Sequence, residues 1–248
     1  MPGPKRDSIY RDSGGNPGSF EFDERVAAVF GDMIRRSVPG YGRTLAEIER
    51  LAARAVEPGS VCYDLGCSLG AATLAMARGI AGGSAGGDAR IVAVDDSPAM
   101  IERCGQILDD SASGVPVELR TEDLRETPVR EASLVVLNYT LQFVPRDDRT
   151  GLLARIRGGM RDGGILVLSE KIRFADPVLD ALFVELHHDF KRANAYSDLE
   201  ISRKRAALEQ VLVPDTAEIH LQRLRRAGFA HAGCWMQELN FASFVAVA

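Results

Sequence analysis

From residue 22 onward the apolar positions fall at helical intervals. Val26, Val29, Phe30, Met33 and Ile34 recur at three- and four-residue steps, with Asp23 placed to cap the segment. Val38-Pro39-Gly40-Tyr41-Gly42 breaks that pattern, and a second amphipathic stretch follows at 44–55 with Leu45, Ile48, Leu51 and Ala52 on one face. The pattern then changes. Short apolar runs at 61–62, 91–95, 134–137 and 165–168, and an alternating run at 117–121, read as strands. The small-residue run at 71–77, the stretch opening at Ser97-Pro98 and residues 146–160 read as the helices between them, with Asp162-Gly163-Gly164 as a stop. Strand and helix in alternation imply a parallel sheet with right-handed crossovers. The fully apolar 134–137 run belongs near its centre. Helical stretches at 177–193 and 197–212 then form an insertion at about 174–213, before a helix at 217–227 and strands near 234–236 and at 241–247. The expectation is one α/β domain over 22–248: a mostly parallel seven-stranded sheet with an antiparallel C-terminal hairpin and a helical insertion. Residues 1–21, polar and carrying Gly-Gly and Pro-Gly, are expected to form a mobile N-terminal arm.

The chemistry gathers at Tyr63-Asp64-Leu65-Gly66-Cys67-Ser68-Leu69-Gly70, a strand end, glycine turn and helix start. Such a turn lets a ligand touch bare backbone, and the following helix directs free N–H groups at it. A second strand ends in Asp95, 25 residues past Gly70. An acid at that place accepts hydrogen bonds from ribose hydroxyls. Asp96 and Ser97 can cap the next helix, which leaves Asp95 for a ligand. A dinucleotide site expects a second glycine where this chain has Ser68, so the turn favours a nucleoside without a pyrophosphate. S-adenosylmethionine has adenine, ribose and an amino-acid tail, but no phosphate.

Ligands of parallel sheets lie beyond the strand C-termini. Asp64, Gly66, Asp95, Asp123, Asn138 and Glu170 all occupy such ends. Asp123 is placed to accept from an adenine amino group while Leu124 covers the ring. Tyr41, in the turn between the first two helices, suits packing or ligand contact. In the insertion, His187 and His188 are adjacent and so face different sides of a helix. A structural role is expected for them, and the Lys and Arg residues around them read as a solvated face.

Composition narrows the alternatives. At 248 residues, 46% hydrophobic and 26% charged, the chain can bury a real core. A net charge of -5 argues against a surface that coats nucleic acid. No apolar run is long enough for a membrane span, and no signal-peptide core is evident near the N-terminus. Cys62, Cys67, Cys104 and Cys234 lack zinc spacing and suit reduced, cytoplasmic thiols, and no metal cluster is expected.

Longer blocks carry a family resemblance. Residues 22–26, 36–41, 63–72, 97–104 and 187–202 look like carboxy-S-adenosyl-L-methionine synthases, from about Phe22 to the C-terminus. Asp96 stands where the family pattern has Asn, which leaves the ribose role of Asp95 intact and makes a contact from Asp96 less certain. The resemblance implies a Rossmann-like class I methyltransferase fold and a homodimer. It implies conversion of S-adenosylmethionine and prephenate to carboxy-S-adenosylmethionine, phenylpyruvate and water. The product would serve wobble-uridine (5-carboxymethoxyuridine) modification of tRNA through a separate enzyme. It also implies that Tyr41, Gly66, Cys67, Ser68, Asp95, Asp96, Asp123, Leu124 and Asn138 line the S-adenosylmethionine site, and that Arg205 holds the product's carboxylate in the catalytic centre. The sulfonium acidifies its methyl protons and prephenate supplies carbon dioxide as it aromatises, so the protein must align partners, exclude water and anchor carboxylates. An ordinary S-adenosylmethionine-dependent methyltransferase and a non-catalytic nucleoside-binding module remain as alternatives.

Overall fold

The computed structural model describes residues 6–11, 20–83, 88–111, 113–208 and 211–248. Two helices lead in: α1 (Glu24–Ser37), capped by the Asp23 carboxylate accepting from the Val26 N–H, and α2 (Tyr41–Ala55). The sheet then alternates with helices: β1 (Val61–Leu65), α3 (Ala71–Gly82), β2 (Arg90–Asp95), α4 (Pro98–Asp109), β3 (Val117–Thr121), β4 (Ala132–Asn138), α5 (Arg146–Gly158) and β5 (Met160–Lys171). The insertion follows as α6 (Pro177–Ala193) and α7 (Asp198–Leu208), then α8 (Ala217–Arg226), β6 (His231–Glu238) and β7 (Phe241–Val247).

The described strands form one seven-stranded sheet in the order β3-β2-β1-β4-β5-β7-β6. β1 to β5 pair in parallel, while β7 runs antiparallel to β5 and to β6. The parallel strands are those the alternation implied, and with β4 in the middle and the C-terminal hairpin at one edge the arrangement is the Rossmann-like class I methyltransferase fold that the resemblance implied. Alternate side chains of each strand feed two cores. Val61, Tyr63, Leu65, Val135, Leu137, Leu166 and Leu168 pack with Leu152, Leu153 and Ile156 of α5 and Leu224 of α8. Cys62, Ile91, Leu134, Val136 and Val167 pack with Ile48 and Ala52 of α2 and Ala75, Met76 and Ile80 of α3. Both faces of the inner strands are therefore dry. At about 25 cal/mol per Å², each large side chain so buried adds roughly 1.5–3 kcal/mol before entropy is charged against it.

Three expectations change. The helix expected over 146–160 ends at Gly158. Asp162-Gly163-Gly164 lies within β5, where the register against β4 shifts between Ala132 and Leu134. Part of the expected mobile arm is seated: the Asp7 N–H donates to Asp32 Oδ2 at 2.8 Å, Tyr196 Oη to Asp7 Oδ2 at 2.5 Å, and Arg203 Nη1 to the Tyr10 carbonyl at 3.0 Å. Residues 1–5 and 12–19 of that arm lie outside the described residues.

Candidate active site

A cavity of about 670 Å³ opens beyond the carboxyl ends of β1, β2, β4 and β5, roofed by α1, α6 and α7. That is where the switch in strand order between β1 and β4 places a crevice. One wall is the glycine turn. The Gly66 and Cys67 N–H groups both donate to the Val94 carbonyl, at 2.8 and 2.9 Å, which folds the chain back over β2. Gly66 takes φ 84°, and a Cβ there would lie 2.4 Å from Thr140 side-chain atoms. Gly70 takes φ 78°, and its Cβ would meet Cys104 Sγ at 2.6 Å. Its close approach is therefore to α4.

Asp95 does more than wait for a ligand. Its Oδ2 accepts from the Ser68 N–H at 2.9 Å and its Oδ1 from the Ser97 N–H at 3.1 Å, while Ser97 itself caps α4. The expectation that the carboxylate is left to a ligand is corrected: it braces the glycine turn with one lone pair on each oxygen and presents the others to the cavity. Burial raises its pKa, and the two backbone donors oppose that. Asn138, at the end of β4, lines the cavity with a buried Oδ1 that has no partner. Asp123 and Leu124 also line it, and Arg125 clasps Asp123, with Nη2 2.6 Å from Oδ2.

Of the site residues expected from sequence, Gly66, Ser68, Asp95, Asp96, Asp123, Leu124, Asn138 and Arg205 come together around this cavity. Tyr41 and Cys67 are not among its described lining residues. Tyr41 opens α2 with its ring 6.1 Å from that of Tyr139, and burial pushes its hydroxyl pKa upward. The Cys67 side chain packs with Cys104 and Ala93, and the contact with Cys104, together with burial, raises its thiol pKa. Two of the polar strand ends also sit behind the wall. Asp64 is fully buried, accepts from Thr73 Oγ1 at 2.6 Å, and is pushed up to about 6 by burial. Glu170 is fully buried, accepts from the Leu141 N–H at 3.0 Å, and is pushed up to about 8 by burial.

Apart from Arg205, the opposite wall was not foreseen. His187, His188 and Lys191 from α6, Lys204 and Arg205 from α7, and Lys171 and Arg173 from the end of β5 line the same cavity. Lys191 is 7% exposed and Lys204 5%, so at these two positions the solvated face expected here is instead buried, while Arg173 and Arg205 are exposed. Burial pushes Lys191 down to about 7, with Lys204, Lys171 and Arg205 adding to it. Burial pushes Lys204 down to about 8, with Asp7 opposing, and its Nζ donates to Ser37 Oγ at 2.9 Å. His187 keeps the structural part expected of it: its Nε2 meets the Ser37 carbonyl at 2.8 Å, and burial pushes it down to about 2. The available signal was spacing. Ile201, Lys204 and Leu208 fall on one face of α7, and His187 and Lys191 on one face of α6.

The methyltransferase-domain family matches residues 62–164. Relatives are far closer over the whole chain. Proteins of Trichlorobacter lovleyi (55% identical), Geobacter metallireducens (53%) and Shewanella amazonensis (53%) each align over 98% of this chain and 98% of their own, and each carries the name carboxy-S-adenosyl-L-methionine synthase. Among solved structures, human N-acetylserotonin methyltransferase superposes with a TM-score of 0.61 at 17% identity, over 96% of this chain and 57% of its own. An O-methyltransferase family protein of Burkholderia thailandensis gives 0.62 at 18%, over 91% and 60%. This chain spans about three-fifths of each of those chains, and the likeness is one of fold.

Proposed function

The chain belongs to the carboxy-S-adenosyl-L-methionine synthase family, and from that premise we propose that its co-substrate is prephenate, with phenylpyruvate and water released. One observation carries this reading. A single cavity sets carboxylates, bare backbone and an unpartnered amide oxygen against ammonium and guanidinium groups. The first wall suits S-adenosylmethionine, which is cationic at sulfur and at its amino group. The second suits a dianion.

The residues present fit S-adenosylmethionine. Asp95 has lone pairs left for ribose hydroxyls, and Gly66 leaves backbone where a side chain would strike Thr140. The buried Asn138 Oδ1 lacks a donor that an amino group would supply. Asp123 and Leu124 would take the adenine. When bound, the sulfonium supplies an acidified methyl group. Arg205 offers a planar fork to the carboxylate that the methyl gains. Phe20, Phe22 and Phe143 line the cavity and exclude water from the exchange.

Three further assignments follow. A homodimer is supported by Val178, Leu179, Leu182 and Leu186, a run of exposed apolar residues along α6. The product is read as the donor for a separate enzyme that modifies the tRNA wobble uridine, and a cytoplasmic location follows from that use. No helix among the described residues is long and apolar enough to cross a membrane.

Incubation of the protein with S-adenosylmethionine and prephenate, followed by mass spectrometry, tests the reading. The expected result is carboxy-S-adenosylmethionine and phenylpyruvate in equal amounts. A demethylated nucleoside with a methylated acceptor would instead make it an ordinary methyltransferase. Binding without turnover would make it a nucleoside-binding module.

A further inference from the structure

Lys191 is the least satisfied charge in the cavity. Its side chain is 7% exposed, yet its ammonium makes no hydrogen bond or ion pair with any described residue. Its neighbours repel it. Lys204 and Arg205 face it from α7 and Lys171 from β5, while His187 and His188 flank it on α6. Asp7 relieves Lys204, 3.8 Å away, rather than Lys191. The Asp180 carboxylate, on the same helix, sits about three turns away and accepts from the Phe174 N–H at 2.8 Å. A buried cation with no counter-charge is costly, and proteins keep such groups where a ligand completes them.

We propose that Lys191 holds the co-substrate by the carboxylate it retains, while Arg205 serves the carboxylate that is transferred. This deepens the reading of a dicarboxylate co-substrate and rests on it. Prephenate has two carboxylates with different fates. The one on its ring leaves as carbon dioxide and must lie near the methyl group. The one on its pyruvyl side chain survives in phenylpyruvate and can serve as a handle throughout. Arg205 is exposed on α7 and lines the cavity, whereas Lys191 lies deeper, one helix away. Separate cations on separate helices orient the substrate, which a single cluster would not.

The charge state of Lys191 follows the ligand. Its pKa lies near 7 because nothing offsets burial and repulsion. A carboxylate beside it restores the ammonium, so binding above neutral pH takes up a proton from solvent. Affinity for the co-substrate therefore falls as pH rises above about 7. The sign for the free protein is opposite to that of an ordinary surface lysine. With the folded pKa below the unfolded value of roughly 10.4, the unfolded chain binds more protons between those two values. The charge at Lys191 thus destabilises the fold fully below about pH 7, and that cost fades as pH approaches 10.4.

The test compares wild type with Lys191→Gln, Lys191→Arg and Lys191→Met. Michaelis constants for both substrates are measured from pH 6 to 9, with calorimetric titration of phenylpyruvate and thermal melts. Lys191→Gln should raise the prephenate KM by at least about tenfold, with little change for S-adenosylmethionine. Lys191→Arg should keep much of the affinity and lose its decline above neutral pH, because guanidinium stays charged. Lys191→Met should melt higher than wild type at pH 7, which a residue kept for stability would not do. An unchanged prephenate KM in Lys191→Gln, or equal losses for both substrates, overturns the assignment. A wild type that makes no product from prephenate sinks the functional reading instead. Phenylpyruvate binding still judges Lys191 in that case: loss in Lys191→Gln supports it, and equal affinity refutes it.

Discussion

The wall at the strand ends and the wall made by α6 and α7 enclose one cavity but are held by different means. The strand-end wall is fixed by backbone. Its turn is tied to Val94 and Asp95, and Asp95 is tied in turn to the start of α4. The Gly66, Cys67 and Ser68 N–H groups and the Asp95 and Asp123 carboxylates have protein partners before a ligand arrives, whereas Asn138 Oδ1 has none among the described residues. The helical wall is fixed by side-chain packing and holds charges that repel one another. His187 and Lys204 reach Ser37 at the end of α1, but Lys191 makes no hydrogen bond or ion pair with a described residue. The first wall is preorganised by backbone contacts, whereas the second stores electrostatic strain that an anionic ligand would relieve. A preorganised wall should be sensitive to shape and a strained wall to charge.

The largest expected effect is a change of shape. Gly66→Val forces a branched side chain into φ 84° and against Thr140. The backbone strain alone is of order 1–3 kcal/mol, and the clash adds to it. S-adenosylmethionine binding should disappear in calorimetry, with a lower melting temperature. Ser68→Ala leaves the Ser68 N–H on Asp95 and should bind almost as wild type. Equal and mild effects would show that the turn is not shaped for a ligand.

Next comes charge on the helical wall. Arg205→Ala should lower affinity for carboxy-S-adenosylmethionine by about tenfold to 150-fold, as for hydrogen bonds to a charged group. S-adenosylmethionine, which lacks that carboxylate, should lose much less. Arg205→Lys should recover part of the affinity, since a point charge cannot reproduce the fork. Equal losses for both ligands would mean that Arg205 does not select the product.

Asp95→Ala tests the strand-end wall by removing an acceptor. The loss of S-adenosylmethionine affinity should be roughly 1.5–3 kcal/mol. Because Asp95 also braces Ser68, part of that loss belongs to the turn. Asp95→Asn, which keeps one acceptor oxygen, should separate the two with a milder loss. A folded Asp95→Ala protein with unchanged affinity would take Asp95 out of the ribose site.

The same contrast explains what the sequence disclosed. The sheet, the glycine turn, Asp95 and Asn138 are legible because strand ends follow from local periodicity, and topology places those ends together. Glu170 and Asp64 misled for the same reason. Sequence locates a strand end but not the half-turn that puts a carboxylate behind the wall. Lys191 and Lys204 were hidden because a lysine on a helix is ordinarily solvated. Only the tertiary packing of α6 and α7 over the sheet takes these two out of water. The seating of Asp7 and Tyr10 depends on Arg36, Tyr196 and Arg203. Those partners lie too far along the chain for any local pattern to show.

The smallest effect concerns Arg125, a cation on the acidic side. Arg125 lines the cavity, clasps Asp123 and also reaches Asp148 Oδ2 at 2.9 Å. Its guanidinium holds the Asp123 carboxyl below the usual carboxylate range, so Asp123 stays ionised at any working pH. Yet the pair is exposed, and exposed ion pairs contribute little because water and salt screen them. An adenine amino group also needs only one of the carboxylate's lone pairs, and the Arg125 N–H, Nε and Nη2, shared between the two oxygens, leave about one of four open. Arg125→Ala should therefore change S-adenosylmethionine affinity by less than about fivefold, with the small change fading further as salt is raised. Asp123→Ala should cost more than Arg125→Ala, since it removes the acceptor itself. Calorimetry at low and high ionic strength reads both variants. If Arg125→Ala instead lost tenfold or more, independent of salt, the arginine and not the aspartate would be touching the adenine. The strand-end wall would then bind its ligand partly through a cation, and the division of the cavity into an acidic and a basic side would fail at this corner.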